Sequence, residues 1–185
     1  MRQTPHTNRY TGFSLVEVMV ALLVISIGLL GIAKMQALAI ATTGSARLRS
    51  LGALEAASLA SMMRADRTYW ASAATTATPL SIVVSGANIS SSSDGSIIVT
   101  PPDCSMATGA LCTTPSQMAN YDLGNWASSV NKVIPNEYAT ISCQQPAPVA
   151  PVPALPVTCS ISIAWSESNG PASLATPQYT VVVQP

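Results

Sequence analysis

Glu17 is the residue of this sequence whose surroundings most demand a chemical explanation. It stands in Thr11-Gly12-Phe13-Ser14-Leu15-Val16-Glu17-Val18-Met19-Val20, and from Phe13 to Ala33 the 21 residues hold no proline and no other charge. Wound as a helix rising about 1.5 Å per residue, the run reaches about 31 Å, enough to cross the hydrocarbon core of a bilayer. A carboxylate inside such a segment costs a few kcal/mol or more, so it is expected to have a function and a cationic partner. A partner is one cut away. Cleavage between Gly12 and Phe13 would leave a new α-amino group about one helical turn from Glu17.

The other reactive side chains support no catalytic arrangement. The one histidine is His6. It lies in the polar N-terminal stretch, so a chain trimmed at Gly12 has none, and Ser-His-Asp and Cys-His arrangements are excluded. Lys34 and Lys132 leave a Ser-Lys pair formally open, but no motif surrounds either. There is no Gly-rich phosphate loop and no metal-ligand cluster, so neither enzyme activity nor a cofactor or metal is expected. The cysteines Cys104, Cys112, Cys143 and Cys159 all follow the apolar run. Their spacings fit neither CxxC redox pairs nor the short gaps of zinc ligands. Two disulfides in an oxidising compartment are expected, and of the three possible connectivities the sequence-local one, Cys104 with Cys112 and Cys143 with Cys159, is preferred. Each would contribute about 2–4 kcal/mol in the loop-entropy account.

The residues around Glu17 carry a family resemblance. Gly12-Phe13-Ser14-Leu15-Val16-Glu17 resembles the processing site of type IV prepilins, whose short basic leader is removed after the glycine and whose new N-terminal phenylalanine is usually methylated. The match runs on through Val18-Met19-Val20-Ala21-Leu22-Leu23 and Ile27-Gly28-Leu29-Leu30-Gly31-Ile32-Ala33-Lys34-Met35-Gln36, a string similar to the PilV-type minor pilins. Beyond roughly the first 40 residues only the layout agrees. The resemblance implies that Gly12 and Phe13 are substrates of a prepilin peptidase/methyltransferase, Gly12 because the peptidase needs a minimal side chain before the cut bond. It implies that Glu17 accepts the Phe13 amine of a neighbouring subunit during assembly. The implied partners are the major pilin, other minor pilins and the inner-membrane assembly machinery, with a tip adhesin also admitted. The implied location is the inner membrane, single-pass, and then the pilus at the cell surface.

These residues must be positioned by a small set of elements. Residues 1–12 read as a leader, 13–36 as the membrane and assembly helix, 37–70 as its amphipathic continuation, and 71–185 as a β-rich globular domain with two disulfides. Gly28 and Gly31 soften the helix, each by about 1 kcal/mol relative to alanine. They suit either close packing against a neighbouring helix or local melting when a subunit leaves the membrane for a filament. From Ala37 to about Tyr69, Leu48, Leu51, Leu54, Leu59, Met62 and Met63 form a loose apolar stripe, and no proline intervenes before Pro79. Short β-rich runs follow at Leu80–Val84, Ser96–Thr100, Tyr138–Cys143, Val157–Trp165 and Tyr179–Val183. They predict an antiparallel sheet of three to five strands covered by the second half of the long helix, an α+β, pilin-like fold. Ser90–Ser93 with Asp94-Gly95 reads as a turn-rich loop, and Pro146–Pro156 as a disulfide-bounded polyproline surface loop.

The charges narrow the partners. Lys plus Arg and Asp plus Glu number 8 each, but seven of the basic residues lie within residues 1–70. The remainder carries only Lys132 against Asp94, Asp103, Asp122, Glu137 and Glu167, a poor surface for gripping phosphates, so nucleic-acid binding is not expected. Flanking charge does not decide orientation, since Arg2 and Arg9 precede the apolar run while Lys34, Arg47 and Arg49 follow it. The cysteines put the C-terminal domain outside the cytoplasm, in the periplasm. Two other functions remain open at this level. A type II secretion pseudopilin shares the leader and the acid. An exported soluble binding protein would use Ala37-Leu38-Ala39 or Ala39-Ile40-Ala41 as a signal-peptidase site, although the apolar run is longer than the usual signal core and Glu17 would go unexplained.

Overall fold

The computed structural model describes residues 12–75, 77–97, 100, 102–104, 112–134, 136–148, 155–166 and 176–185. The chain divides into two compact units, Met1–Thr43 and Gly44–Pro185. One helix, α1 (Leu15–Ala65), runs through the boundary.

In the first unit α1 is uninterrupted at Gly28 and Gly31, and a Cβ at either position would meet nothing within 4 Å. Its apolar side chains are all exposed. Mean hydropathy over an 18-residue window reaches 2.7, so α1 is long and apolar enough to cross a membrane. Ser26, Thr42 and Thr43 return their hydroxyl protons to carbonyls of the preceding turn, at 2.8 to 3.2 Å. Such back-bonding lets hydroxyl residues sit in an apolar helix without an orphan donor.

The second unit is the α+β part. Its five-stranded sheet is antiparallel throughout and ordered β2-β1-β3-β4-β5, with β1 Leu80–Ser85, β2 Asn88–Ser92, β3 Tyr138–Gln144, β4 Thr158–Ala164 and β5 Gln178–Val183. The strand alternation seen in the sequence is realised directly. Cys159, Ile161 and Ile163 face the core while Ser160 and Ser162 face outward. Gly86 and Ala87 join β1 to β2 in a two-residue turn, and Gly86 takes φ 59°, the left-handed geometry that glycine supplies without strain.

Two helices supply the cover. Ala56, Leu59, Ala60 and Met63 of α1 are buried, at the spacing of one helix face. The second is a helix that the sequence reading leaves out altogether, here termed α3 (Pro115–Val133). Its Leu123, Trp126, Ala127 and Val130 are fully buried, and the Trp126 indole N–H donates to the Glu55 carbonyl of α1 at 2.9 Å. The start of α3 is written in Thr114-Pro115-Ser116-Gln117: the Thr114 side chain accepts from the Gln117 backbone, and the Gln117 side chain reaches back to the Thr114 backbone. Between these helices, α1 stops short of the expected Tyr69. Asp66 leaves helical geometry at ψ 50° and starts α2 (Arg67–Trp70).

Two strand assignments also change. Ser90–Ser93 is not a loop: β2 occupies Asn88–Ser92, with a bulge against β1 near Val83 and Val84. The expected strand Ser96–Thr100 is absent from the sheet. Asp94 accepts from the backbone and hydroxyl of Ser96 at 2.9 and 2.7 Å and turns the chain there, while residues 98–99 lie outside the described ones. Sequence alternation could not see this, because an Asx turn competes locally with strand pairing. Part of the Pro146–Pro156 loop likewise lies outside the described residues. The disulfides join Cys104 to Cys112 and Cys143 to Cys159. The second ties directly opposed residues of β3 and β4, with Cα atoms 3.9 Å apart.

Five carboxylates set how this unit responds to pH, one with its pKa lowered and four with theirs raised. Burial works against ionisation of Asp94, but hydrogen bonds from the Tyr69 hydroxyl (2.6 Å) and from Ser96 outweigh it and hold its carboxyl below the usual range. Glu137, just before β3, is 2% exposed, and neither carboxylate oxygen finds a hydrogen-bond partner among the described residues. Burial pushes its pKa up, as it does for Glu55, Asp66 and Asp122. A raised carboxyl pKa means that the folded state binds the proton more tightly than the unfolded one. Stability therefore rises as pH falls from neutral toward the unfolded value near 4. Asp94 acts with the opposite sign, its contribution being lost as pH falls below about 4. Calorimetry on the full chain is expected to show a melting temperature that climbs from pH 7 to about pH 5 and drops below about pH 4; a monotonic fall from pH 7 would contradict this balance. Glu137→Met should stabilise by about 1–3 kcal/mol at pH 7, the cost of an unpaired buried group, and by less at pH 5.

Candidate functional site

Gly12, Phe13 and Ser14 precede the first turn of α1 and take no regular structure. The Ser14 carbonyl opens the helical ladder, accepting from the backbone N–H of Glu17 at 3.0 Å and of Val18 at 3.3 Å. That places the Glu17 carboxylate on the first turn and Phe13 on the residue just outside it. Phe13, Glu17, Val18, Ala21 and Leu22 together line one shallow groove along the helix start. Their numbering repeats at intervals of about four, the signature of one helix face. The sequence reading singled out Phe13 and Glu17; the groove adds Val18, Ala21 and Leu22, which the same spacing would have revealed. Gly28 and Gly31 lie farther along α1, and the four cysteines belong to the other unit.

Among the described residues of this unit no cation reaches Glu17. Its nearest basic neighbour along α1, Lys34, lies about 25 Å away at helical rise. The residue 13 nitrogen is an uncharged peptide N–H for as long as Gly12 is attached. The positive end of the helix dipole favours an acid in the first turn, but by about 0.3–1 kcal/mol, less than the few kcal/mol a carboxylate costs in lipid. The carboxylate is thus exposed and unpaired among the described residues.

The Gly12–Phe13 bond suits cleavage by an outside enzyme. Gly12 is exposed, and a Cβ built there meets nothing within 4 Å. The chain's own packing therefore gives no reason for glycine at this position. Phe13 is 80% exposed, so its nitrogen would be open to a methyl-transferring enzyme after the cut. The described residues here offer an exposed peptide bond and a carboxylate one helical turn from it.

Residues 7–33 match the prokaryotic N-terminal methylation motif. The match covers a minority of the chain and supports a type IV pilin-like or pseudopilin protein. Proteins with this motif are structural subunits rather than enzymes, processed by a prepilin peptidase and assembled with other pilins. With the apolar α1, the motif fits anchoring in the inner membrane before assembly. Neither the curated proteins nor the solved structures yielded a match to the chain.

Because Gly12 touches nothing, Gly12→Val is expected to leave the melting temperature of the full chain unchanged while blocking leader removal, read as retention of residues 1–12 by intact-mass measurement. Normal processing of Gly12→Val would remove the assigned role of this residue.

Proposed function

We propose that this chain is a minor pilin of a type IV pilus, acting in the tip or priming complex that starts fibre growth. The observation that carries the reading is the unpaired Glu17 carboxylate one helical turn from a peptide bond whose cleavage would create an amine. In sequence, a prepilin peptidase cuts after Gly12, Phe13 is methylated, and the mature helix waits in the inner membrane with no basic side chain near Glu17 among the described residues. Docking beside another subunit brings a processed N-terminal amine to Glu17. Pairing relieves the cost of the lone carboxylate and selects the register in which helices stack. The apolar face from Phe13 to Ala33 then packs in the fibre core, with Gly28 and Gly31 marking a point where the helix can approach a neighbour closely or loosen. The periplasmic placement of the globular unit rests on its two disulfides, which persist in an oxidising compartment. A major pilin, other minor pilins and the inner-membrane assembly machinery are the partners this reading requires; a tip adhesin is compatible with it.

A secretion pseudopilin would use the same groove and the same amine. Recovery of the protein in sheared pili favours the pilus, and recovery in a secretion complex favours the pseudopilin. An ordinary signal peptide is disfavoured by α1 itself. Both small-residue cut sites, at residues 37–39 and 39–41, lie within the helix, where backbone hydrogen bonds oppose entry into a protease cleft.

Two outcomes follow for the protein in its host membrane. Mass spectrometry of the mature chain should give an N-terminus at methylated Phe13; a start at Ile40 or Thr42 would assign a secreted protein instead. Glu17→Ala should be processed normally yet fall at least about tenfold in sheared fibres, as expected for losing an interaction above 1.4 kcal/mol. Undiminished incorporation would end the assembly role of the acid.

A further inference from the structure

The groove at the start of α1 joins two kinds of surface. Phe13, Val18, Ala21 and Leu22 supply apolar walls, and Glu17 is the charged member of the lining. Glu17 and Ala21 follow Phe13 at steps of four, so they lie in one row along the helix, with Val18 and Leu22 in the row beside it. The Ala21 methyl group leaves room one turn beyond the acid. Depth in a bilayer follows from the helix length. Phe13 to Ala33 spans about 31 Å against a hydrocarbon core of about 30 Å, so Phe13 lies at the boundary and Glu17 about 6 Å inside it. Helical side chains lean toward the N-terminus, which carries the Glu17 carboxylate back toward the headgroup layer. Leader removal adds a methylated amine at Phe13, close to the same boundary. The mature groove then has an anion and a cation at its mouth and apolar side chains below.

Given the processing and membrane placement proposed above, we infer that this groove binds an ethanolamine phospholipid while the subunit waits in the membrane. The lipid ammonium donates to the Glu17 carboxylate, the lipid phosphate accepts from the Phe13 amine, and one acyl chain lies against Val18, Ala21 and Leu22. Charge complementarity selects the headgroup. The groove offers one acid and one amine, and phosphoethanolamine carries the two matching charges. A glycerol headgroup matches only the amine. A choline headgroup has both charges but no N–H, so its ammonium cannot donate a hydrogen bond to the acid. The Phe13 amine of the same chain does not remove the need, since a carboxylate has about four acceptor sites, more than one amine fills. The apolar walls meet the acyl chain beneath the headgroup, so the occupant comes from the bilayer and binds without leaving it. The lipid also regulates assembly. It satisfies Glu17 in the membrane and is displaced when a neighbouring subunit brings its own amine and apolar helix together.

The test uses the mature subunit purified from its host membrane, with its N-terminus checked by intact mass. It is placed in nanodiscs of equal parts dioleoyl phosphatidylethanolamine, phosphatidylglycerol and phosphatidylcholine, and native mass spectrometry reads the lipids that stay bound on release. Ethanolamine adducts should exceed choline and glycerol adducts by about tenfold, the factor expected from one further charge-assisted hydrogen bond. Glu17→Gln should bring the three lipids to parity, and Ala21→Leu should lower the ethanolamine adducts with the acid intact. Both are exposed positions of α1, and an unchanged melting temperature of the globular unit checks the fold of each variant. Equal adducts of the three lipids in the unaltered subunit, or a preference that survives Glu17→Gln, overturns the inference. So does a Glu17-dependent dimer without lipid adducts, which gives the groove to a second copy of the chain. A processed subunit that enters fibres yet shows no lipid preference overturns the lipid site and leaves the proposed function standing. A subunit that keeps residues 1–12 overturns both, because the amine is then never made.

Discussion

Among the described residues no basic side chain reaches Glu17, and the proposed assembly role of the N-terminal unit rests on that deficit. The first-turn dipole returns at most about 1 kcal/mol, against a few kcal/mol for a carboxylate in hydrocarbon. The nearest basic residue on the helix is several turns away, and the adjacent nitrogen is a peptide until the leader is cut. On the proposed reading, such a subunit gains when another subunit supplies an amine. The exposed apolar side chains of α1 have the same property, being covered only by lipid or by neighbouring helices. In the proposed role, charge and apolar surface favour the same outcome, association through the N-terminal helix, and the charge selects the register.

The globular unit solves a different problem. An antiparallel sheet with one apolar face must be covered, and the cover is shared between the later part of α1 and α3, joined by the Trp126-to-Glu55 hydrogen bond. The cross-strand Cys143–Cys159 bond fastens the central strand β3 to its neighbour β4. The described residues of the opposite face are uncharged and rich in hydroxyls, so that face is suited to contact with water. The acids Glu55, Asp66, Asp122 and Glu137 are all penalised by burial, which leaves the unit better suited to mildly acidic than to alkaline surroundings.

Much of this was legible before any coordinates. The position of Glu17 within an uncharged run marked the site, and strands β1, β3, β4 and β5 followed from alternation of Ile and Val with Ser and Thr. What escaped was local competition. Helix α3 is poor in large apolar residues and contains Asn120, Gly124 and Asn125, so composition hides it, although its Thr114–Gln117 capping box and the spacing of Leu123, Trp126, Ala127 and Val130 were there to read. β2 is serine-rich and resembles a turn in sequence because serine is common in both settings. The Ser96–Thr100 segment has strand composition, yet the Asp94 carboxylate captures Ser96 first. The end of α1 at Ala65 turns on the backbone of Asp66, which no periodicity reports. The groove beside Glu17 was half visible: the acid and the phenylalanine stood out by type, while Val18, Ala21 and Leu22 are marked only by their helical spacing from those two.

The central claim is a contact between the Glu17 carboxylate and the processed N-terminal amine of an adjacent subunit. A carbodiimide soluble in lipid, dicyclohexylcarbodiimide, joins a carboxylate to an amine only where the two already touch. Isolated fibres treated with it and digested should yield a peptide in which Glu17 is amide-linked to the N-terminal residue of a neighbouring subunit. Fibres that contain the protein but give Glu17 only as the unlinked carbodiimide adduct would contradict the account.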